Sequence, residues 1–421
     1  MELNKEQLEI VNANDDNIVV IAGAGSGKTT VMMERIKRLL KDGVNPQEIV
    51  AITFTNLAAD VLRQRLKDVE GGDKCFIGTI HGYANHILKK SNIPVEIYSD
   101  YHEQQYMQQL INQYGKYTTL EQYYQYKKDV VRLPYYELDK IYSINQQKEF
   151  NMLSGTIPNN YDLYPYTVDD LCKINNVISF NQLLEMSSNY YKQHKLKLNY
   201  LFVDEFQDVG LLEFDFLLSL NSSHNFVIGD DYQSIYKFKG SDFKLFLKLV
   251  ESENWKTYYL KNNYRNSQLI YDYSNSVISQ CFECMKKQTL NMNKSLGKIM
   301  FQSKPMLVDI LKSINPNKYK DWFILTRSNS ELDIISKIMK SHNIPYKIIS
   351  QRNSSVDKMT NDLNENNIKL MTAHASKGLE SSNVIMYGNF TLNSKSNSKQ
   401  EELRLSYVAV TRAIDNLIIF I

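Results

Sequence analysis

A chain of 421 residues has room for two to four domains, and 43% hydrophobic residues is ordinary for a folded globular protein. No apolar run is long enough to cross a bilayer as a helix, and the opening Met1-Glu2-Leu3-Asn4-Lys5-Glu6 lacks an apolar signal core; no membrane-spanning helix and a cytoplasmic location are expected. A net charge of +2 does not announce a polyanion partner, so contact with nucleic acid has to come from local arrangement.

In chain order, the β-branched run Ile18-Val19-Val20-Ile21 reads as a buried strand and residues 31–40, apolar at helical spacing, as a helix. Between them lies Ala22-Gly23-Ala24-Gly25-Ser26-Gly27-Lys28-Thr29. Strand, glycine loop and helix in that order make a triphosphate cradle. Its glycines let backbone N–H groups turn inward and the helix N-terminus adds positive potential, while Lys28 reaches the outer phosphates and Thr29 offers a hydroxyl to Mg²⁺. Ala22 stands where the general pattern has its first glycine. Residues 48–54 predict a second strand, 58–66 a helix, and 75–78 a third strand leading into Thr79-Ile80-His81-Gly82-Tyr83 and a further helix. Such alternation predicts a parallel sheet covered on both faces.

From about residue 93 to 195 the character changes, with glutamine, tyrosine and lysine dense over 104–147, and a mainly helical insertion is expected. The α/β pattern resumes with strands at 200–204, 226–230 and 256–260. A second α/β set follows at 298–301, 322–326, 346–349, 368–372, 383–387 and 416–420. The polar stretch 351–367 reads as a connection and 389–399 as a surface loop. The fold expected is α/β, with two parallel-sheet lobes: residues 1–92 with 196–262, a helical insertion over 93–195, and a second lobe over 263–421. Cys75, Cys172, Cys281 and Cys284 fit a reducing compartment, and Cys281 and Cys284, lacking a second pair at zinc spacing, read as packed helix thiols.

Val203-Asp204-Glu205-Phe206-Gln207-Asp208 puts carboxylates at the end of a buried strand, where α/β sheets bind ligands. Asp204 can hold Mg²⁺ and Glu205 can take the proton of an attacking water. Phosphoryl transfer depends on positioning and charge compensation, so a loop, a metal carboxylate and one base nearly suffice.

With both sites in view, the chain resembles superfamily 1 helicases of the UvrD/Rep/PcrA type, in blocks that keep the family's order from residue 3 to residue 413. Leu3-Asn4 with Gln7 resembles the glutamine motif and Ala22 to Thr29 motif I. Thr53-Phe54-Thr55-Asn56 resembles Ia, Gly78-Thr79-Ile80-His81 Ib, and Asp204 to Asp208 motif II. Gly229-Asp230-Asp231-Tyr232-Gln233-Ser234-Ile235-Tyr236 with Phe238 resembles III, and Asn263-Tyr264-Arg265 IV. Thr372-Ala373-His374-Ala375-Ser376-Lys377-Gly378-Leu379-Glu380 resembles V, and residues 402–413 around Arg404 and Arg412 resemble VI.

The resemblance implies RecA-like lobes using ATP and Mg²⁺. Gln7 would read adenine and Tyr264 would stack on it, Gln233 would sense the γ-phosphate, Glu380 would contact the ribose, and Arg265 and Arg412 would act as arginine fingers. Thr30 stands where many relatives have an arginine beside the adenine. Phe54, Tyr236, Phe238 and His81 would stack on bases, with Thr55, Asn56, Thr79, Thr372 and His374 on phosphates or sugars. The implied activity is a 3′ to 5′ DNA helicase or translocase with ATPase stimulated by single-stranded DNA, acting on single strands and single/double-strand junctions. Two departures stand out: Thr30 in place of that arginine, and the short stretch 351–367, which leaves no room for the family's 2B domain. The chain also stops just after motif VI. The last two features favour a trimmed motor with the helical insertion, 1B, and no 2B. Two alternatives remain: a motor subunit dependent on a nuclease or replication factor, and an ATP-gated DNA-end sensor that does not travel.

Overall fold

The computed structural model describes residues 2–98, 177–350, 356–388, 390 and 399–420. The expectations for residues 104–147, Cys172 and most of 389–399 lie outside them. The chain forms two compact units, Met1–Tyr83 with Lys195–Ile421, and Ala84–His194.

The first unit holds two six-stranded sheets, and every pairing in them is parallel. The first is built from β1 (Asn17–Ala22), β2 (Ile49–Ile52), β3 (Phe76–Gly78), β4 (Tyr200–Val203), β5 (His224–Gly229) and β6 (Lys256–Leu260), in the order β3-β2-β4-β5-β1-β6. Helices α1 (Lys5–Asn12), α2 (Lys28–Lys41) and α3 (Asn56–Leu66) cover one face, where Ile10, Met32, Ile36 and Leu62 meet Ile18, Val20, Ala51 and Ile228. The opposite face is equally closed, with Val19, Ile21 and Ile52 at 0%, 2% and 1% exposed. Burial on both faces is what a continuous β-branched run specifies. Because β4, β5 and β1 are neighbours, the loops after them emerge side by side at one sheet edge.

Helix α4 (Ile80–Lys90) leads into the second unit, which also contains α5 (Phe180–Gln193). Ser179 and Gln182 form a capping box on α5, and Ser187 Oγ donates to Ala84 O at 2.9 Å. After it come α6 (Leu211–Ser219) and α7 (Phe243–Glu251).

A two-residue parallel pair, β7 (Asn262–Asn263) with β8 (Leu290–Asn291), flanks α8 (Gln268–Ile278). The second sheet runs β11-β12-β10-β13-β14-β9, formed by β9 (Lys298–Gln302), β10 (Trp322–Thr326), β11 (Tyr346–Ile348), β12 (Ile368–Thr372), β13 (Ser381–Tyr387) and β14 (Ala413–Phe420), with α9 (Leu307–Ser313), α10 (Asn329–Ser341), α11 (Val356–Asn364) and α12 (Lys399–Val410). Its side chains alternate between two cores: Phe323, Leu325, Val384 and Met386 enter one, Ile324 and Ile385 the other. Ile235 and Tyr236, from the chain between β5 and β6, belong to the first of these, so the lobes share an apolar seam.

Three expectations need correction. The stretch 351–367 is not only a connection, since α11 lies within it and Leu363 packs on the core. Phe390, placed in a surface loop, is 8% exposed and its carbonyl accepts from Ser406 Oγ at 2.8 Å. Cys281 and Cys284 are joined in a disulfide and lie beyond the end of α8, where the turning chain brings their Cα atoms to 5.5 Å.

Arg35, 6% exposed on α2, donates to the carbonyls of Ile10, Val11 and Ala13 at 2.9, 3.2 and 2.7 Å, capping the C-terminal end of α1. Arg35→Met should cost about 2–4 kcal/mol because it leaves those oxygens without their donor. Urea unfolding measures this, and a loss below about 0.5 kcal/mol would mean that water replaces the guanidinium.

Candidate active site and nucleic-acid interface

The loop after β1 needs glycine for two separate reasons. Gly25 and Gly27 hold φ of +68° and +85°, and a Cβ would come 2.6 Å from Arg265 Cβ at the first and 2.8 Å from Gln7 Nε2 at the second. Ser26 Oγ donates to Gly23 O at 2.8 Å, tightening the loop, and Ala22 and Ala24 are buried. Gln7, the N3 residue of a capping box with Asn4, donates to Ser26 O at 3.2 Å. Tyr264 N donates to Gly25 O at 2.9 Å, and the Tyr264 hydroxyl accepts from Asn4 Nδ2 at 2.5 Å. The Tyr264 ring is 41% exposed, and Thr30 sits half-buried in the first turn of α2.

Across the sheet edge, Thr29 Oγ1 donates to Asp204 Oδ2 at 3.2 Å, and Glu205 N donates to Asp204 Oδ1 at 2.9 Å. Glu205 holds φ +52°, a left-handed conformation uncommon for a side chain of its size. Its Oε1 lies 3.9 Å from Lys28 Nζ, and its Oε2 accepts from Gln207 Nε2 at 2.6 Å and lies 3.8 Å from Lys377 Nζ. Burial works to raise the Glu205 carboxyl, but Lys28 and Lys377 overrule it and bring it down to about 2. Burial and the neighbouring charge of Glu205 push Asp204 up to about 7. Thr29 and Asp204 form a hard-oxygen pair beside the glycine loop. Among the described residues no group of three or more His, Cys, Asp or Glu makes a metal cage. That donor set fits Mg²⁺, which takes much of its shell from phosphate and water.

The second lobe closes this edge. Arg412, 1% exposed, donates from Nη2 to Gln233 Oε1 at 3.2 Å, from Nη1 to Leu379 O at 3.0 Å and from Nε to Val408 O at 2.9 Å. Burial and the nearby Arg265 bring it down to about 9. Arg265 Nε pairs with Glu380 Oε2 at 2.5 Å. Lys28, Thr29, Asp204, Glu205, Gln233 and Arg412 thus stand in one connected network, with Arg265 and Glu380 at its rim. Sequence reading did not single out Lys377, which is paired with Asp208 and donates to Gln233 O at 2.7 Å. Its only signal was its place inside a motif.

A second cluster lies along the same seam. Phe54 and Tyr236 stack with centroids 4.9 Å apart and planes at 19°, Phe238 meets His374 edge-on at 5.5 Å, and Tyr236 Oη donates to His374 O at 3.2 Å. Lys239 Nζ sits 4.6 Å from the Tyr236 ring centre. Phe238 is 61% exposed whereas Tyr236, at 4%, is a core side chain. Thr55, Thr79 and Thr372 each accept a turn N–H through their hydroxyl, from Ala58, Gly82 and Ala375. A hydroxyl that accepts in this way still carries its own proton to donate to a phosphate. Asn56 is exposed at the start of α3, and His81 lies 3.9 Å from Glu213.

The description of the UvrD/REP helicase N-terminal domain matches residues 3–254, and that of the UvrD-like helicase C-terminal domain matches 258–354 and 351–421. The chain belongs to the UvrD/Rep helicase family. A probable DNA helicase of Mycoplasma pneumoniae is 28% identical over 98% of this chain and 82% of its own length. The ATP-dependent DNA helicase Rep of Buchnera aphidicola subsp. Baizongia pistaciae is 28% identical over 83% of this chain and 55% of its own length, and PcrA of Staphylococcus epidermidis 26% over 82% and 51%. This UvrD-family chain therefore spans about half the length of the Rep and PcrA relatives. Among its described residues no helix is long and apolar enough to cross a membrane.

Burial and the charge of Arg327 bring the His374 ring from 6.5 down to about 4. A lowered histidine favours the fold at high pH, and this contribution is lost as pH falls from the unfolded value toward the folded one. NMR of the His374 ring should show no titration between about pH 8 and 5.5; a midpoint near 6.5 would mean that the ring is open to water.

Proposed function

We propose that this chain is an ATP- and Mg²⁺-dependent DNA translocase of the helicase type, moving 3′ to 5′ on single-stranded DNA, with ATP hydrolysis stimulated by that strand. The observation that carries the reading is one short segment with two attachments. Gln233 accepts from Arg412 at 3.2 Å, and Tyr236, three residues on, donates to the carbonyl of His374 at 3.2 Å. A change at the phosphate network and a change at the aromatic cluster therefore move the same piece of backbone.

Lys28 neutralises charge on the transferred phosphate, and Glu205, held as an ion by Lys28 and Lys377, accepts the proton of the attacking water. Gln233 and Arg412 bring the second lobe to the developing negative charge, and Arg265 approaches from the side of the glycine loop. Thr29 and Asp204 would hold Mg²⁺, which supplies Lewis-acid neutralisation of phosphate oxygens. Gln7 and Tyr264 line the loop where an adenine would lie, beside Thr30, and Glu380 orients Arg265. Phe54, Phe238 and the ring of His374 offer sequence-tolerant faces for bases, with Thr55, Asn56, Thr79, His81 and Thr372 near the backbone. The Rep and PcrA relatives are named ATP-dependent DNA helicases, in keeping with this reading.

A second reading, a motor that unwinds only with a nuclease or replication partner, draws support from the short stretch between β11 and β12. Forked-duplex unwinding by the purified chain separates the two, since efficient unwinding alone removes the need for a partner. Displacement of streptavidin from biotinylated single strands separates a motor from a stationary end sensor.

ATP turnover should rise with single-stranded DNA, and turnover indifferent to DNA would refute the motor. Lys28→Ala and Glu205→Gln should lower turnover by at least about 100-fold, with Glu205→Gln still binding a fluorescent ATP analogue. Phe238→Ala should weaken single-strand binding by about 1–3 kcal/mol at unchanged ATP affinity; the reverse pattern would assign Phe238 to packing.

A further inference from the structure

The Lys287 side chain, 5% exposed, lies against two closed carboxylates, paired with Asp230 and 2.5 Å from Asp231 Oδ1. Its ammonium also sits 4.0 Å from the centre of the Tyr232 ring. The backbone around it grips the same segment: Met285 N donates to Asp231 Oδ2 at 2.7 Å, and Lys287 N to Tyr232 Oη at 3.2 Å. The preceding turn, closed by the Cys281–Cys284 disulfide, is fastened to α12, with Phe282 N donating to Gln400 Oε1 at 3.0 Å and Glu283 paired with Arg404 at 3.4 Å.

Asp230 divides its carboxylate. Oδ1 faces Lys287, and Oδ2 accepts from Gln233 Nε2 at 2.5 Å. An amide has one donor end and one acceptor end, and an ionised carboxylate only accepts, so Asp230 decides which way Gln233 faces. With Nε2 committed, Oε1 is turned to Arg412 Nη2 at 3.2 Å. Without the ammonium, two adjacent carboxylates would share a closed site lacking a cation, and such a site draws in a proton. A protonated carboxyl donates as well as accepts, and the amide then loses its reason to face one way.

We propose that Lys287 is a positioning residue for ATP hydrolysis: by pairing with Asp230 and Asp231 it sets the orientation of the Gln233 amide, and through it the place of Arg412 across the seam. The inference rests on the ATPase reading above. The polar contacts of Lys287 run to Asp230, Asp231 and Tyr232 and on to Gln233, so its effect falls on turnover more than on nucleotide capture.

The test is steady-state ATPase with saturating single-stranded DNA, alongside equilibrium binding of a fluorescent ATP analogue. Lys287→Met should lower kcat by at least about tenfold with ATP affinity within about threefold of wild type, and Lys287→Arg should keep kcat within about threefold. Adding Asp231→Asn to Lys287→Met removes the surplus negative charge, and the double variant should recover at least about threefold in kcat. A structural peg would lose stability and activity together, and Asp231→Asn would restore them together, whereas a positioning residue lowers kcat in protein that urea unfolding shows to be as stable as wild type. Should Lys287→Met fail to fold, the Lys287→Met/Asp231→Asn double variant is compared with Asp231→Asn alone, and equal kcat values would overturn the proposal. An active wild type with Lys287→Met at unchanged kcat sinks this inference alone, whereas a wild type without ATPase sinks the proposed function and this inference with it.

Discussion

A carboxylate kept charged while largely enclosed by protein needs cations close at hand, and Glu205 draws them from both lobes. Lys28 approaches from the glycine loop at 3.9 Å and Lys377 from the second sheet at 3.8 Å, with Arg412 adding a weaker pull in the same direction. Such buried ion clusters contribute little net stability, because desolvation offsets most of the attraction. Removing one member is another matter, since the charge left behind has little water to turn to. The seam between the lobes is therefore a geometric requirement of the acidic centre, and both sheets must be in register with it.

The polar network is not the whole of that seam. Ile235 and Tyr236 are buried among second-lobe side chains, and Phe54 and Leu57 pack at the margin. An apolar contact of this kind tolerates sliding better than hydrogen-bonded ions do, since it has no preferred angle. One segment thus joins directional hydrogen bonds, at Gln233 and at the Tyr236 hydroxyl, to a direction-tolerant apolar contact, at Ile235 and the Tyr236 ring. This combination suits a part that has to shift while staying attached.

Much of this architecture was legible from residues alone. Buried parallel strands announce themselves as short β-branched runs, and those of both sheets fell close to where the alternation put them. The glycine loop and the carboxylates after β4 were readable because their neighbours along the chain set their context. What stayed hidden has partners far off in sequence. Lys377 finds Asp208 across 169 positions and Lys287 finds Asp230 across 57, and nothing beside either lysine signals a mate. Helix α11 was masked by its own polarity, with Val356, Met359 and Leu363 the only apolar residues on a stretch crowded with asparagine and aspartate. An aromatic motif likewise does not say which ring is exposed: Phe238 stands open while Tyr236 serves the core.

The strand order carries a consequence for how the molecule comes into being. β1, which bears the glycine loop, pairs with β5 and β6, whose residues begin at His224 and Lys256. During synthesis the loop leaves the ribosome well ahead of β5 and β6, and the strand beneath it has both neighbours only after the chain has passed residue 260. Completing the sheet around β1 therefore depends on contacts more than 200 positions apart, and such long-range pairing slows folding. A nascent chain halted before β5 would carry an intact phosphate signature on a strand with neither of its native neighbours beside it.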